Sequence, residues 1–393
     1  MIKLLHFSDA HIDIASQGKR DPKTGLPIRV LDFLNALDTI VDAAINERVD
    51  LVIFSGDAYK DRTPVPTYQR EWGRRIMRLS EANIPTILLV GNHDISPALG
   101  RATSLQEFST LSIPNIHLVT KPELISSNQL NDLPVQIIAL PWINRTGFLA
   151  NLEDDSVHLG DIDENIEIIT TRIIDDLIHE LDPELPTIFT AHASVQGAVF
   201  GGERSIMLGN DIVLSHGLVT RPEFDYVALG HIHKAQNLNE DEHPPVVYSG
   251  SIERVDFGEA GDNKFFVIAS IEKGNCDLSW RMLEGRPFID LSTDLRKIRK
   301  SENDTLPHPN EIKEYLIQTL LDSSEVEEAV VRLSLLYPKD WEVLLDDHWF
   351  QNRFEKALEV HLIKKPIFST RLRLGEDEQI SNFPPEKLLE LLA

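Results

Sequence analysis

Apolar positions recur in two alternating rhythms over the first part of the chain. Short, nearly continuous apolar runs at 2–7, 50–54, 85–90 and 135–140, and again at 187–190, 226–229, 246–248 and 264–271, predict buried strands. Between them the spacing lengthens. In 29–47, Val30, Phe33, Leu34, Leu37, Ile40, Val41, Ala44 and Ile45 recur three and four apart, which predicts an amphipathic helix, and 68–81 and 164–181 read the same way. Strands alternating with helices predict an α/β protein, with layers packed around a mostly parallel or mixed sheet.

The rhythm changes near residue 283. A charged stretch from Asp294 to Asp304 leads to a loop punctuated by Pro307 and Pro309. A helix at 311–321, a strand at 329–336 and a helix at 351–362 are expected beyond it. The organisation expected is therefore a large domain over 1–283, a smaller α+β domain over 284–375, and a tail over 376–393. The tail ends on Pro385-Glu386-Lys387-Leu388-Leu389-Glu390-Leu391-Leu392, which reads as a linker or the first turns of a partner-binding helix.

Composition narrows the class without naming a function. With 42% hydrophobic and 26% charged residues, the 393-residue chain has the make-up of a globular protein with a sizeable core. One cysteine, Cys276, permits no internal disulfide and suits a reducing compartment. The start of the chain lacks a signal-peptide core, and no apolar run is long enough for a membrane span, so a cytoplasmic protein is expected. Formal net charge is −25, which opposes nonspecific attraction to nucleic acid. Any such role must rest on a local basic patch, bound cations or a partner. From Lys60 to Arg78 six basic residues stand against Asp61 and Glu71, a local excess of four positive charges by sequence count.

The candidate chemistry lies where the predicted strands end. Asp9-Ala10-His11, Gly56-Asp57, Gly91-Asn92-His93-Asp94, Ala191-His192 and Gly230-His231-Ile232-His233 each follow such a run. In open α/β sheets the carboxyl ends of strands form the ligand site, so segments distant in sequence can converge there. Carboxylate, imidazole and amide oxygen without thiolate suit divalent ions such as manganese, iron or zinc. Asp9, His11, Asp57, Asn92, His192, His231 and His233 are too many ligands for one ion with an open position, and about right for two ions sharing a carboxylate. His93 is the natural group to contact a phosphate or protonate a leaving oxygen, with Asp94 expected to orient its ring. A lone Gly-Asp or His-x-His would mean little. The specificity lies in all five motifs, in this order, each after a strand pattern.

That ordered set resembles the signature of the calcineurin-like metallophosphoesterases. Within it, Asp225 through Lys234, and Tyr248-Ser249-Gly250-Ser251-Ile252-Glu253-Arg254 with Phe257-Gly258-Glu259, look much like the bacterial SbcD nuclease subunit. The resemblance implies a two-sheet α/β/β/α sandwich followed by a smaller α+β capping domain. It implies one ion on Asp9, His11, Asp57 and His233, and a second on Asp57, Asn92, His192 and His231, with Asp57 bridging and His93 catalytic. It also implies manganese-dependent DNA exo- and endonuclease activity, homodimers, and an SbcC-like coiled-coil ATPase as partner in double-strand-break repair. Tyr68, Trp72, Leu105 and Phe108 become candidates for the dimer contact. One position departs from the pattern: Lys60 stands where many relatives carry histidine or aspartate, and with Arg62 it is a candidate DNA contact. A small-molecule phosphodiesterase and a mainly structural DNA-end-binding scaffold are the alternative readings. A protein-phosphatase role fits less well, because Gly-Asp-x-x-Asp-Arg-Gly is absent.

Overall fold

The protein is described by a computed structural model. It covers residues 1–14, 18–95, 101–143, 162–201, 213–298 and 306–368. The chain divides into two compact units, Met1–Phe288 and Ile289–Ala393.

The first unit contains two six-stranded sheets. One runs in the order β14 (Asn275–Leu283), β13 (Lys264–Glu272), β1 (Ile2–Phe7), β2 (Leu51–Phe54), β3 (Thr86–Leu89) and β4 (Ile116–Val119). β1 to β4 are parallel, and β13 closes antiparallel on β1. The other sheet runs β11 (Gln236–Asn237), β12 (Val246–Tyr248), β10 (Tyr226–Gly230), β7 (Thr187–His192), β6 (Gln136–Leu140) and β5 (Glu123–Ile125). Its central strands β12, β10, β7 and β6 are parallel. A short pair, β8 (Ser194–Val195) and β9 (Val213–Leu214), lies beside them in sequence.

Alternation along β1 explains the layering. Leu4 joins Leu51, Ile53, Ile87 and Leu89 in a core shared with Ile137, Ile188, Ala228 and Val247 of the second sheet. Leu5 and Phe7 point the other way, into a core with α1 (Ile28–Asn46) and α2 (Pro66–Glu81). The outer face of the second sheet packs Phe189, Val227 and Leu229 against Ile174, Leu177 and Ile178 of the helix Ile162–His179. Strands buried on both faces read as continuous apolar runs, the pattern of β2, β3, β6 and β10. The result is the expected mixed α/β sandwich, with a helical layer on each side of two facing sheets.

Two expectations are corrected here, and one charge count is put in its spatial setting. Tyr68, Trp72, Leu105 and Phe108 are not a surface awaiting a second copy. They are 8%, 0%, 0% and 2% exposed, and the Trp72 ring packs 4.9 Å from that of Phe54. The basic excess counted over Lys60–Arg78 is largely matched in space. Arg70 and Arg74 bind Glu71, while Arg75 and Arg78 reach Asp38 and Asp42 of α1. Counting along one helix missed the carboxylates of its neighbour. In the second unit, β15 (Phe288–Asp294), β16 (Val330–Pro338) and β17 (Glu359–Ile367) form a sheet, so 351–362 is not one helix. The helix Asp347–Arg353 ends, and β17 then runs parallel to β16. Val360 and Leu362 alternate inward there, a period of two that overrides the local helical look. The candidate tail 376–393 lies outside the described residues. Among the described residues no helix is long and apolar enough to cross a membrane.

Candidate metal centre

Each of the five motifs follows or ends a parallel strand: β1, β2 and β3 in one sheet, β7 and β10 in the other. Because the two sheets face each other, their carboxyl rims bring the motifs together. Two groups of buried ligand atoms result, Asp9 with His11 and His233, and Asp57 with His192 and His231, each within 4.8 Å of one another. Asp57 belongs to both in reach. Its Oδ2 lies 3.4 Å from His192 Nε2 and 3.8 Å from His11 Nε2. Asn92 Oδ1 is 3.0 Å from both His192 Nε2 and His231 Nδ1. All seven predicted ligands are therefore gathered at one place.

The backbone there is strained. Asp9, His11, Asp57 and His231 all have positive φ, at 52°, 37°, 65° and 94°. Non-glycine residues enter that region at a cost of about 1–3 kcal/mol each, and do so chiefly where surrounding structure and function hold them. Close approach also dictates two glycines. A Cβ on Gly230 would lie 2.1 Å from the Ser55 carbonyl oxygen, and one on Gly91 would lie 2.2 Å from Asp57 Oδ1.

Hydrogen bonds at the outer edge show which ring nitrogens face inward. His192 Nδ1 donates to the Ser55 carbonyl at 2.6 Å, so its Nε2 is the nitrogen turned to Asn92 and Asp57 and left for a cation, proton or metal. His233 Nδ1 donates to Glu259 Oε1 at 2.7 Å, which turns its Nε2 lone pair towards His11 Nε2, 3.1 Å away. Without a metal these close contacts are served by protons, as where one ring nitrogen donates to the other between His11 and His233, and a divalent cation could take the place of those protons. Burial opposes a charge on His192, yet the Asp57 carboxylate still draws it up to about 9. The donor set thus fits divalent cations, and its lack of thiolate favours hard to borderline ones.

His93 is half-buried beside the clusters, with its ring in edge contact with His11 at 5.2 Å. Its orientation corrects a sequence expectation. The Lys60 carbonyl, not Asp94, accepts from His93 Nδ1, at 2.9 Å. Asp94 instead accepts from the backbone N–H groups of Asp57, Ala58 and Gly91 and from Ser104 Oγ, tying the second motif to the third. Burial, then the charge of Asp57, pushes its carboxyl up to about 7. Lys60 Nζ lies 3.4 Å from His93 Nε2, and burial followed by this cation lowers the His93 pKa against the pull of Asp57. Asp13 Oδ1 accepts from Lys60 N and Oδ2 from Asp61 N, fixing this loop. Arg62 is exposed.

Several residues at the centre escaped sequence reasoning. Trp142, just past β6, lays its ring 4.9 Å from that of His231 and 6.0 Å from that of His192. Glu259 and Lys264 form a buried pair behind His233. Only Glu259 carried a signal, as the end of the segment around Ser249–Gly258; a lysine heading a strand and a tryptophan in a loop announce nothing.

The family match agrees with this geometry. The family model described as calcineurin-like phosphoesterase matches residues 2–235. Similar solved structures include a dimetal phosphatase from Danio rerio, at 13% identity, covering 72% of this chain and 96% of that one, with a TM-score of 0.42. The protein TT1561 of Thermus thermophilus is 15% identical over 70% of this chain and 98% of its own, with a TM-score of 0.40. Purple acid phosphatase PPD1 from yellow lupin seeds is 14% identical over 72% and 51%, also at 0.40.

Proposed function

Since the chain belongs to the calcineurin-like phosphoesterase family, we propose that it is a cytoplasmic, manganese-dependent DNA exo- and endonuclease, the SbcD-like subunit of a double-strand-break repair complex. Phosphoester hydrolysis rests on the paired ligand clusters around Asp57. Asp9, His11, Asp57 and His233 would hold one ion, and Asp57, Asn92, His192 and His231 the other. When bound, such a pair neutralises phosphate charge and supplies a nucleophile near neutral pH.

The protein's own residues do the rest. Asp9 accepts from the backbone N–H of His231 through both carboxylate oxygens at 3.1 Å, locking the first motif to the fifth. His93, steered by the Lys60 carbonyl, turns Nε2 towards Lys60 Nζ. Lys60 Nζ offers donors to a phosphate oxygen, and His93 Nε2, a lone pair in the resting ring, would have to take up a proton before it could pass one to the leaving oxygen.

The nuclease part rests on the segments that resemble SbcD, and these wrap the site. Ile252 N donates to the Asp9 carbonyl, Ser251 N donates to the His233 carbonyl, and Glu259 holds His233. Lys60 and Arg62 are the proposed DNA contacts. An SbcC-like coiled-coil ATPase and a second copy of the chain are the proposed partners. The deciding assay offers the purified chain, with manganese, single-stranded, blunt and hairpin DNA alongside cyclic nucleotides. Cleavage of DNA supports the reading. Hydrolysis of cyclic nucleotides with every DNA left intact would transfer the protein to small-molecule phosphodiesterase chemistry, and no hydrolysis at all would favour a scaffold.

A further inference from the structure

Two of the four candidate ligand histidines, His192 and His233, are held from behind by unlike groups. His192 Nδ1 donates to a neutral backbone carbonyl, Ser55 O. His233 Nδ1 donates to a carboxylate, Glu259 Oε1, at 2.7 Å. The other oxygen of that carboxylate is fully engaged: Glu259 Oε2 accepts from Lys264 Nζ at 2.5 Å, Val255 N at 3.1 Å and Ser251 Oγ at 3.1 Å. Lys264 Nζ also donates to Ser251 Oγ at 2.7 Å and to the His233 carbonyl at 3.3 Å. Both charged side chains are 1% exposed.

Removing an acid and a base from water is costly, and a buried pair often does no better for stability than apolar side chains of the same size. The arrangement does have one geometric consequence. Three donors fix Oε2, so Oε1 can only meet His233 as an acceptor, and His233 must carry its proton on Nδ1. We propose that Glu259, locked by Lys264, is a positioning residue that sets the tautomer of His233 and thereby governs occupancy of the Asp9–His11–His233 half of the centre alone. This rests on the two-ion reading and is independent of which phosphoester is cut. Outer partners of this kind commonly change metal affinity by roughly 10–100-fold.

The isosteric variant Glu259→Gln makes a sharp test. Lys264, Val255 and Ser251 would claim the amide oxygen, leaving the NH2 group facing His233 Nδ1. The ring would then have to accept there and move its proton to Nε2, which blocks that lone pair. Manganese alone is the probe, read by metal content after dialysis, by titration calorimetry and by the Mn2+ electron paramagnetic resonance spectrum. Glu259→Gln should bind one ion as the wild type does and the other about 10–100-fold more weakly. Its spectrum should change from that of a coupled pair to that of an isolated ion. His233→Ala should give the same residual spectrum, and combining the two substitutions should add nothing further. Two ions held at wild-type affinity, or both lost together in a variant that melts normally without metal, would overturn the proposal. Should the Gln variant prove unfolded, Glu259→Asp, which keeps the charge and draws it back, is judged by the same criterion. A wild-type chain that takes up a single ion would count against the two-ion reading and not against Glu259.

Discussion

A histidine's surroundings decide its use, and this chain holds two contrasting cases. His6 lies between the sheets with Nδ1 2.9 Å from Tyr226 Oη, and burial lowers its pKa to about 3. In the unfolded chain it titrates near ~6.5. Between those values the unfolded state binds a proton that the folded state refuses, so stability falls as pH falls through the window. For the metal-free protein, lowering pH from about 7.5 to 5.5 should cost wild type about 1 kcal/mol more than His6→Gln. Urea midpoints at the two pH values measure this, and identical pH dependence would remove His6 as the cause. His93 is the opposite case, half-buried, with Nε2 towards a lysine. His93→Ala should keep both ions and lose about 10²–10⁴-fold in turnover; near-normal rates with intact metals would make it merely structural. The ligand histidines were legible because short motifs and strand ends mark them. The pairing of Glu259 with Lys264 was not, since a buried charge pair has the same letters as a solvated one. The Lys60 carbonyl was invisible in principle, because a backbone group has no identity in sequence.

Among whole elements, legibility followed apolar pattern and failed where a neighbour intervened. β1, α1 and the helix Ile162–His179 fall close to their predicted bounds because burial imposes their period. β14 went unseen: it is an edge strand of half-exposed residues, and only its ladder with β13 defines it. α2 shows how a face can be misread. Its tryptophan is core, packed on Phe54 and Tyr59, and its arginines are bound by carboxylates of α1 and of its own Glu71. Trp72→Ala should therefore destabilise the unit by about 3–5 kcal/mol, as large aromatic deletions in cores do. The oligomeric state of the molecules that remain folded should not change. Denaturant titration and light scattering together check this. A stable variant that loses a dimer would restore Trp72 to an interface.

At the scale of the molecule, the question is what each compact unit contributes. The three hydrophobic clusters of the first unit draw all their members from residues up to Leu283. Every candidate ligand, His93, Glu259 and Lys264 also lie within Met1–Phe288. The unit's exit is pinned from inside: Arg286 pairs with Asp32 through Nε and Nη2, and Arg29 joins the same carboxylate. The second unit has its own core around Leu333, Leu335, Tyr337, Trp341 and Phe350. A chain ending at Phe288 should accordingly fold and bind two manganese ions with full-chain affinity. It should also hydrolyse a small aryl phosphodiester at close to the full-chain rate, since nothing assigned to the chemistry has been removed. DNA is a different test. A chain of net charge −25 gains little from its overall field when approaching a polyanion, so productive contact depends on local groups and on surfaces that shape the substrate. If the second unit is a capping domain, the shortened chain should lose DNA cleavage far more than aryl-ester hydrolysis. Metal content, the two rates and a melting curve, measured on both lengths, decide it. Equal loss of both activities with the ions retained would mean that the second unit supports the centre itself; equal retention would mean that DNA is engaged by the first unit alone.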